Sequence, residues 1–339
     1  MRIFFLTQFY YNLHEPIIKE LKSQGHQVFL VEDIILPFDP NFREKRFWKK
    51  MVCTILRKLW RTELSYWKRK VESSFEYCES YDVFLCIDGT SFHPYLLDFL
   101  KRRNPNIKST LYLWDTNRYY NFMRFSYCFN KIFTFDLDDS LNLKGVNLLP
   151  SYWFPSITRE VKYNLCSIGS DHDGRLNVIS KLYHQMEEAQ LNCYLKVVIN
   201  KPVKKEVGFL SFFEDRKYKK NLKLWEMKSN FPFTTEEHFP IDVVIRLIDE
   251  SECVLDIDKP IQSGATQRVI WALARGKKVI STNSNLKRMP FYNSHQIIFL
   301  DRNNPILDVS FIKKKETFSV CEDIEMLRID KWVNFLIDF

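Results

Sequence analysis

Residues 260–283 read PIQSGATQRVIWALARGKKVISTN, which places Gly264 and Arg268 at the start of an apolar stretch that ends at Gly276 and re-enters a β-branched run. Backbone N–H groups at a helix start lack intrahelical partners and favour an anion, and a glycine lets a phosphate approach closely. Arg268 adds a cationic fork of the kind that grips a diphosphate. Lys259, Gln262, Ser263, Thr266 and Gln267 flank it with further donors. The same residues also suit a plain turn at Gly264 with a surface charge at Arg268, and the local pattern alone leaves both readings open. A second polar loop, Ser167 to Arg175, offers Gly169 and Ser170 as donors and His172 or Arg175 as neutralising cations. In that loop Asp171 and Gly174 equally fit a turn and a helix cap. Two Asp-x-Asp pairs, Asp136/Asp138 and Asp256/Asp258, have the form of a divalent-metal site. Asp256 lies in an apolar strand, and Asp138 and Asp139 stand where an N-cap opens a short helix, so both pairs read as structural and no essential metal is expected.

The elements that must position these residues alternate. MRIFFLT, HQVFLVE, YDVFLCIDG, KSTLYLWD and KIFTFD are strands, and helices such as EPIIKELKSQG and SFHPYLLDFLKRRN separate them. Strands apolar on both faces belong to a parallel sheet covered by helices on both sides. A second alternation starts at YNLCSIGS and continues through LNVISKLYHQMEEAQ, NCYLKVVI, the helix in TEEHFPIDVVIRLIDESE, CVLDID, TQRVIWALARG, KKVISTN and HQIIFL. The passage 201–230 between them is Lys-rich and less regular. The expected fold class is α/β, with two doubly wound Rossmann-like domains facing each other across a cleft. The expected boundaries are 1–154 and 155–339, the last helix packing back on the first domain. Ligands in such folds sit outside the carboxyl ends of the strands.

Taken in order, LYLWD (111–115), FTFDLDD (133–139), LLPSYW (148–153), CSIGSDHDGR (166–175) and VLDIDKP followed by GATQRVIWALARGKKVISTN resemble the GT-B glycosyltransferases. The resemblance is to the bacterial enzymes of lipopolysaccharide and capsule assembly in particular. It covers most of the chain, and Gly264, Arg268 and Gly276 match the family's strand, loop and helix pattern. It implies a metal-independent glycosyltransferase that uses a nucleotide-sugar donor, with no cofactor, and a glycan or lipid-linked acceptor. Gly169, Ser170, His172, Arg175, Lys259, Gln262, Ser263, Gly264, Thr266, Gln267 and Arg268 would then bind the donor. An acceptor hydroxyl must lose a proton if configuration inverts. Asp115 and Asp88 at strand ends, and His14 and Glu15 in the loop after the first strand, are the candidates. Asp88 is also a natural turn residue before Gly89, and Glu15 a first-turn charge. One departure is Trp271, which stands where relatives place the helix Glu that holds the ribose; an indole is donor only. The ribose is then held by Thr266 or Gln267, or the donor is unusual. A catalytically inactive GT-B-like scaffold and an enzyme that glycosylates a protein or small metabolite are the alternatives.

Composition narrows the setting. With 339 residues, 45% hydrophobic, only 8 Gly and 13 Pro, two cores are affordable and disorder is excluded. No signal peptide or bilayer-length apolar run is found, so a cytoplasmic protein is expected. The eight cysteines are scattered and read as free thiols. The formal charge is +8, and residues 41–72 carry eleven Lys or Arg against three Glu. Their apolar residues, including Trp48, Trp60 and Trp67, recur at helical steps. This basic amphipathic segment fits either the domain core or an anionic membrane surface on the cytoplasmic face of the inner membrane, where each cation is worth about 1 kcal/mol. No nucleic-acid motif accompanies the charge.

Overall fold

The computed structural model describes residues 1–33, 62–76, 78–90, 92–204 and 211–339. The chain divides into two compact units. One comprises Met1–Phe154, Ile261–Ala265 and Met326–Phe339; the other comprises Pro155–Pro260 and Thr266–Glu325.

The first unit is built on a six-stranded parallel sheet. Its strands are β1 (Arg2–Thr7), β2 (Gln27–Glu32), β3 (Val83–Ile87), β4 (Lys108–Leu113), β5 (Lys131–Thr134) and β6 (Val146–Leu148), in spatial order β2-β1-β3-β4-β5-β6. Every pair is parallel, and β1 and β3 are buried along nearly their whole length, as strands covered on both faces must be. The covering helices include α1 (His14–Ser23), α2 (Thr62–Ser74), α3 (Pro94–Arg103) and the short α4 (Leu137–Asn142). α1 buries His14, Ile17 and Leu21, one face at helical spacing. In α3 Pro94 occupies the first helical position and the His93 ring accepts the Tyr95 N–H, at 3.3 Å. Phe4, Leu6, Phe84, Leu97 and Leu113 form the core on one side of the sheet.

Trp67 joins that core and is fully buried, with Val71 beside it. Of the two settings open to this basic segment, Trp67 and Val71 take the domain core. The remainder of that segment, 41–61, lies outside the described residues. α4 is also capped differently from the expectation. Asp136, two residues upstream of Asp138, is the N-cap, and its carboxylate accepts from the Asp139 N–H at 3.1 Å. An extended Asp136 followed directly by helical Leu137 leaves Asp138 and Asp139 inside the first turn, where their charges complement the helix dipole.

The second unit carries another six-stranded parallel sheet: β7 (Tyr163–Ser170), β8 (Cys193–Val198), β9 (Thr234–Thr235), β10 (Ser251–Asp256), β11 (Lys278–Ser281) and β12 (Ile297–Phe299), in order β12-β11-β10-β7-β8-β9. Its helices are α5 (Arg175–Glu188), α6 (Ser211–Ser229), α7 (Ile241–Asp249), α8 (Gln267–Leu273), α9 (Val309–Lys313) and α10 (Glu322–Glu325). The irregular Lys-rich passage of the sequence is thus largely a helix, α6. Lysines crowd its outer side, and its inward face of Tyr218, Leu222 and Trp225 gives too narrow an apolar stripe to register as periodic. Lys278 on β11 is completely buried, and its ammonium donates to the carbonyls of Phe311, Ile312 and Lys314 at the end of α9.

The final helix, α11 (Ile329–Ile337), belongs to the first unit. Trp332, also fully buried, donates from its indole to the Pro150 carbonyl at 2.9 Å and packs edge-on against Tyr112. Among the described residues no helix is long and apolar enough to cross a membrane, and the seven cysteines are free thiols.

Candidate functional site

In each sheet the strand order reverses once, which opens a crevice at the carboxyl ends of two neighbouring strands. In the second unit that point lies between β7 and β10, because β8 and β9 extend to one side and β11 and β12 to the other. The residues just past these ends are strongly charged. Arg175, 6% exposed, donates from Nε and Nη2 to the Ile257 carbonyl at 3.1 and 2.8 Å, and from Nη1 to the Ser170 carbonyl. It therefore ties together the ends of β7 and β10. Burial, reinforced by the Arg268 charge, pushes its pKa down to about 10.

Arg268 is the second residue of α8, whose N-cap Thr266 donates its hydroxyl to Asp256 at 2.8 Å. The Arg268 guanidinium meets the same carboxylate oxygen from Nε at 3.1 Å and Nη2 at 2.7 Å. Asp256 is completely buried while the Arg268 side chain keeps 21% of its surface exposed. Arg268 is therefore not the loose surface charge of the simpler reading. Gly169 makes this convergence possible: a Cβ there would lie 2.6 Å from Arg175 Nη1 and 3.5 Å from Arg268 Nη1. Two guanidiniums thus crowd one strand end around a single buried carboxylate, leaving net positive charge. Lys259 adds to it, since partial burial and then the Lys259 and Arg175 charges hold the His172 pKa below its ordinary value.

Other charges around the crevice are cancelled in pairs. Asp258 is bound by Arg302 at 3.1 Å and by the Thr282 hydroxyl, although burial raises its pKa. Asp171 is held by Lys228 at 2.6 Å and accepts the Leu176 N–H at 3.2 Å, while Gly174 is the N-cap of α5 with φ 77°. Asp171 and Gly174 thus perform the turn-and-cap task. Gly169 and Ser170 are not loop residues; β7 continues through them in register with Val197 and Val198, which leaves 171–174 as the loop. Among the described residues no group of three or more His, Cys, Asp or Glu is arranged to hold a metal ion.

The structure divides the polar loop seen in the sequence. Thr266, Gln267 and Arg268 belong to the second unit, whereas Gln262, Ser263 and Gly264 belong to the first. There the Ser263 N–H and hydroxyl donate to the two oxygens of Asp136 at 2.7 and 2.8 Å, and the hydroxyl accepts the Asp138 N–H at 2.8 Å. Asp136, wholly buried, also faces Arg118 at 3.5 Å. Gly264 is required by packing, since a Cβ would run into the carbonyl oxygen of Phe135.

The first unit's crevice lies between β1 and β3, since β2 extends to one side and β4 to the other. Gln8, just after β1, donates to the Thr90 hydroxyl just after β3 at 2.8 Å. Between them sits Asp88, 6% exposed, in a left-handed conformation with φ 70°. Thr90 reaches one carboxyl oxygen at 3.4 Å and the other has no hydrogen-bond partner. Burial, then the neighbouring charges of Asp115 and Asp33, push the Asp88 pKa up to about 8. Asp115, less buried, accepts from Gln262 at 2.8 Å. Sequence reasoning missed Asp33, at the end of β2, because nothing local distinguishes it from a turn residue.

His14 and Glu15 are the first two residues of α1 and not part of the preceding loop, which the left-handed Tyr11 and Asn12 bring to a close. His14 is buried, stacks on Phe9 at 4.3 Å between centroids, and is held below its ordinary pKa by that burial. Glu15 is exposed. The structure therefore brings Asp88 and Asp115 together and gives His14 and Glu15 separate settings.

No protein-family model and no curated protein sequence matches this chain. Solved structures do. The chain is similar over its whole length to the apo structure of OtsA, with a TM-score of 0.54, 12% identical residues and 100% of both chains covered. It is also similar to the apo form of the lipopolysaccharide outer core galactosyltransferase WaaB (TM-score 0.48, 11% identity, 99% of both chains). A third is MurG of Acinetobacter baumannii (TM-score 0.43, 10% identity, 99% of this chain and 93% of that one). At such identities the likeness is one of fold, and the fold is that of the GT-B glycosyltransferases: two doubly wound α/β units, each on a parallel sheet.

Proposed function

We propose that the protein is a glycosyltransferase that moves a sugar from a nucleotide-sugar to a growing bacterial surface glycan, of the lipopolysaccharide or capsule kind. The observation that carries this reading is the net positive crevice of Gly169, Arg175, Arg268 and Lys259 at the carboxyl ends of β7 and β10. A nucleotide-sugar reacts with departure of its diphosphate, and fixed cations stabilise the charge that develops on the leaving oxygen. Arg268 keeps exposed surface toward which a phosphate can approach, and Arg175 supports it electrostatically from a position already spent on carbonyls. The N-terminus of α8 supplies backbone donors next to Thr266 and Gln267, and His172 and Ser170 border the same loop. Because the protein's own cations would carry the leaving-group charge, we expect no essential metal and no cofactor.

In this reading the first unit receives the acceptor, a glycan or lipid-linked sugar. Asp115 is the base that takes the hydroxyl proton, while Asp88 with its raised pKa holds its own proton at neutral pH. The setting is the cytoplasmic face of the inner membrane, with contact to anionic lipid and none to nucleic acid. Trp271, 4% exposed in α8, lies on the buried side of its helix, so ribose recognition falls to Thr266 and Gln267. A ligand-shift screen over UDP-, GDP-, CMP- and ADP-sugars tests the donor assignment. Saturable stabilisation by one nucleotide class, lost in Lys259→Ala, is the expected result. No response to any of them would overturn it, and binding without turnover would identify a scaffold.

A further inference from the structure

We propose that α6 of the second unit is a docking surface for an anionic lipid bilayer. This inference does not depend on the proposed reaction; it deepens the lipid contact proposed above by naming a surface for it outside residues 41–72. On α6, Tyr218, Leu222 and Trp225 are half-buried and follow one another at helical spacing. Trp225 packs on the core of the unit and lies under the Lys201 ammonium, 5.0 Å from its ring centre. At about 100° per residue, the opposite side of the helix collects Arg216, Lys217, Lys219, Lys220 and Lys223 within an arc of roughly 160°. All five are exposed.

Within the same arc stand Leu224, 50% exposed, and Met227, 61% exposed. Large apolar side chains ringed by cations on one helix face match a bilayer's interface, where apolar groups enter the acyl boundary while cations meet anionic headgroups. That combination decides among occupants. A nucleic-acid backbone would engage the cations and leave Leu224 and Met227 in water. A second copy of this chain would bring another cationic face against the first, at a formal charge of +8 per chain. The acidic Glu226 sits at the margin of the arc, and Lys228 is turned away to Asp171.

The test is flotation of the full-length protein with vesicles of phosphatidylcholine alone and with about one third phosphatidylglycerol added. Binding to the anionic vesicles only, weakening with salt, is expected. Lys219→Gln/Lys220→Gln/Lys223→Gln should reduce partitioning on the order of a hundredfold, the product of three interfacial cations. Leu224→Ser/Met227→Ser should also reduce it, with an unchanged melting temperature, because both residues are exposed. A parallel variant of the basic segment, K49Q/K50Q/R57Q/K58Q/R61Q, separates the two cationic regions. The proposal is overturned if the α6 lysine variant floats like the parent. It is overturned equally if the Leu224/Met227 variant loses nothing, or if the parent binds heparin and single-stranded DNA but ignores anionic vesicles.

Discussion

Replacing Asp88 by Asn should change how stability depends on pH, and the structure sets both the sign and the size. The carboxyl is buried, one of its oxygens lacks a partner, and its pKa stands near 8 against an ordinary 3.8. The folded protein therefore holds this proton more tightly than the unfolded chain does. Stability is fully present below pH 4, declines as pH rises across the window from about 4 to about 8, and levels off above it. At about 1.4 kcal/mol per pH unit, the whole window amounts to a ceiling of roughly 6 kcal/mol. Asn keeps the shape, tolerates the left-handed backbone at φ 70° and carries no charge to ionise. Denaturant unfolding of Asp88→Asn and its parent at a series of pH values isolates the effect in their difference. The variant should gain on the parent steadily from pH 4 to 8. Asp115→Asn, by removing the larger of the two neighbouring charges, should shift the parent's decline to lower pH. A difference that stays constant with pH would refute the reasoning, for it would mean that Asp88 is ionised in the folded protein.

Arg268→Ala should cost about 3 to 5 kcal/mol of stability, because it strands the Asp256 carboxylate in the interior; Asp256→Asn in the same chain should restore most of the loss in thermal unfolding. Gly264→Ala should destabilise by about 1 to 3 kcal/mol, since the clash is with a backbone oxygen that cannot swing aside, and calorimetry on the variant checks this. Gly169→Ala should instead displace the Arg175 guanidinium and weaken nucleotide affinity severalfold while the protein still melts cooperatively, as read by isothermal titration. Activity, once a donor is found, should persist in excess chelator; loss that Mn²⁺ or Mg²⁺ restores would reverse the assignment of leaving-group charge to protein cations.

The sheets were legible because RIFFLT, VFLCI, YNLCSIGS and SECVLD are apolar enough to lie between two layers, and such strands alternating with helices belong to a parallel sheet. α6 was not, because a helix with only three half-buried apolar side chains among its described residues has almost no stripe to read. Arg268 could be singled out by its place after Gly264, yet its partner is twelve residues upstream on another element, so the ion pair with Asp256 exists only once β10 and α8 are packed. The N-cap at Asp136 was displaced by two residues because three aspartates in a row of four all suit that position, and only the backbone decides. The contacts of the polar loop were not legible either: glycine and serine near a helix start serve a phosphate or a neighbouring backbone equally well, and Phe135 and Asp136 are distant in sequence from Ser263 and Gly264.

The ammonium of Lys278, sealed among the carbonyls of Phe311, Ile312 and Lys314, has a use as a chemical clock. Amine acylation needs an unprotonated nitrogen in contact with reagent, and this one is completely buried under the end of α9. Surface lysines will be consumed in the first moments of exposure to an acylating reagent. Lys278 will be modified only while residues 309–314 are lifted away from β11, so the peptide mass bearing that label, followed over hours, reads the opening of the C-terminal part of the second unit without any engineered probe, as a population where reclosing outpaces acylation.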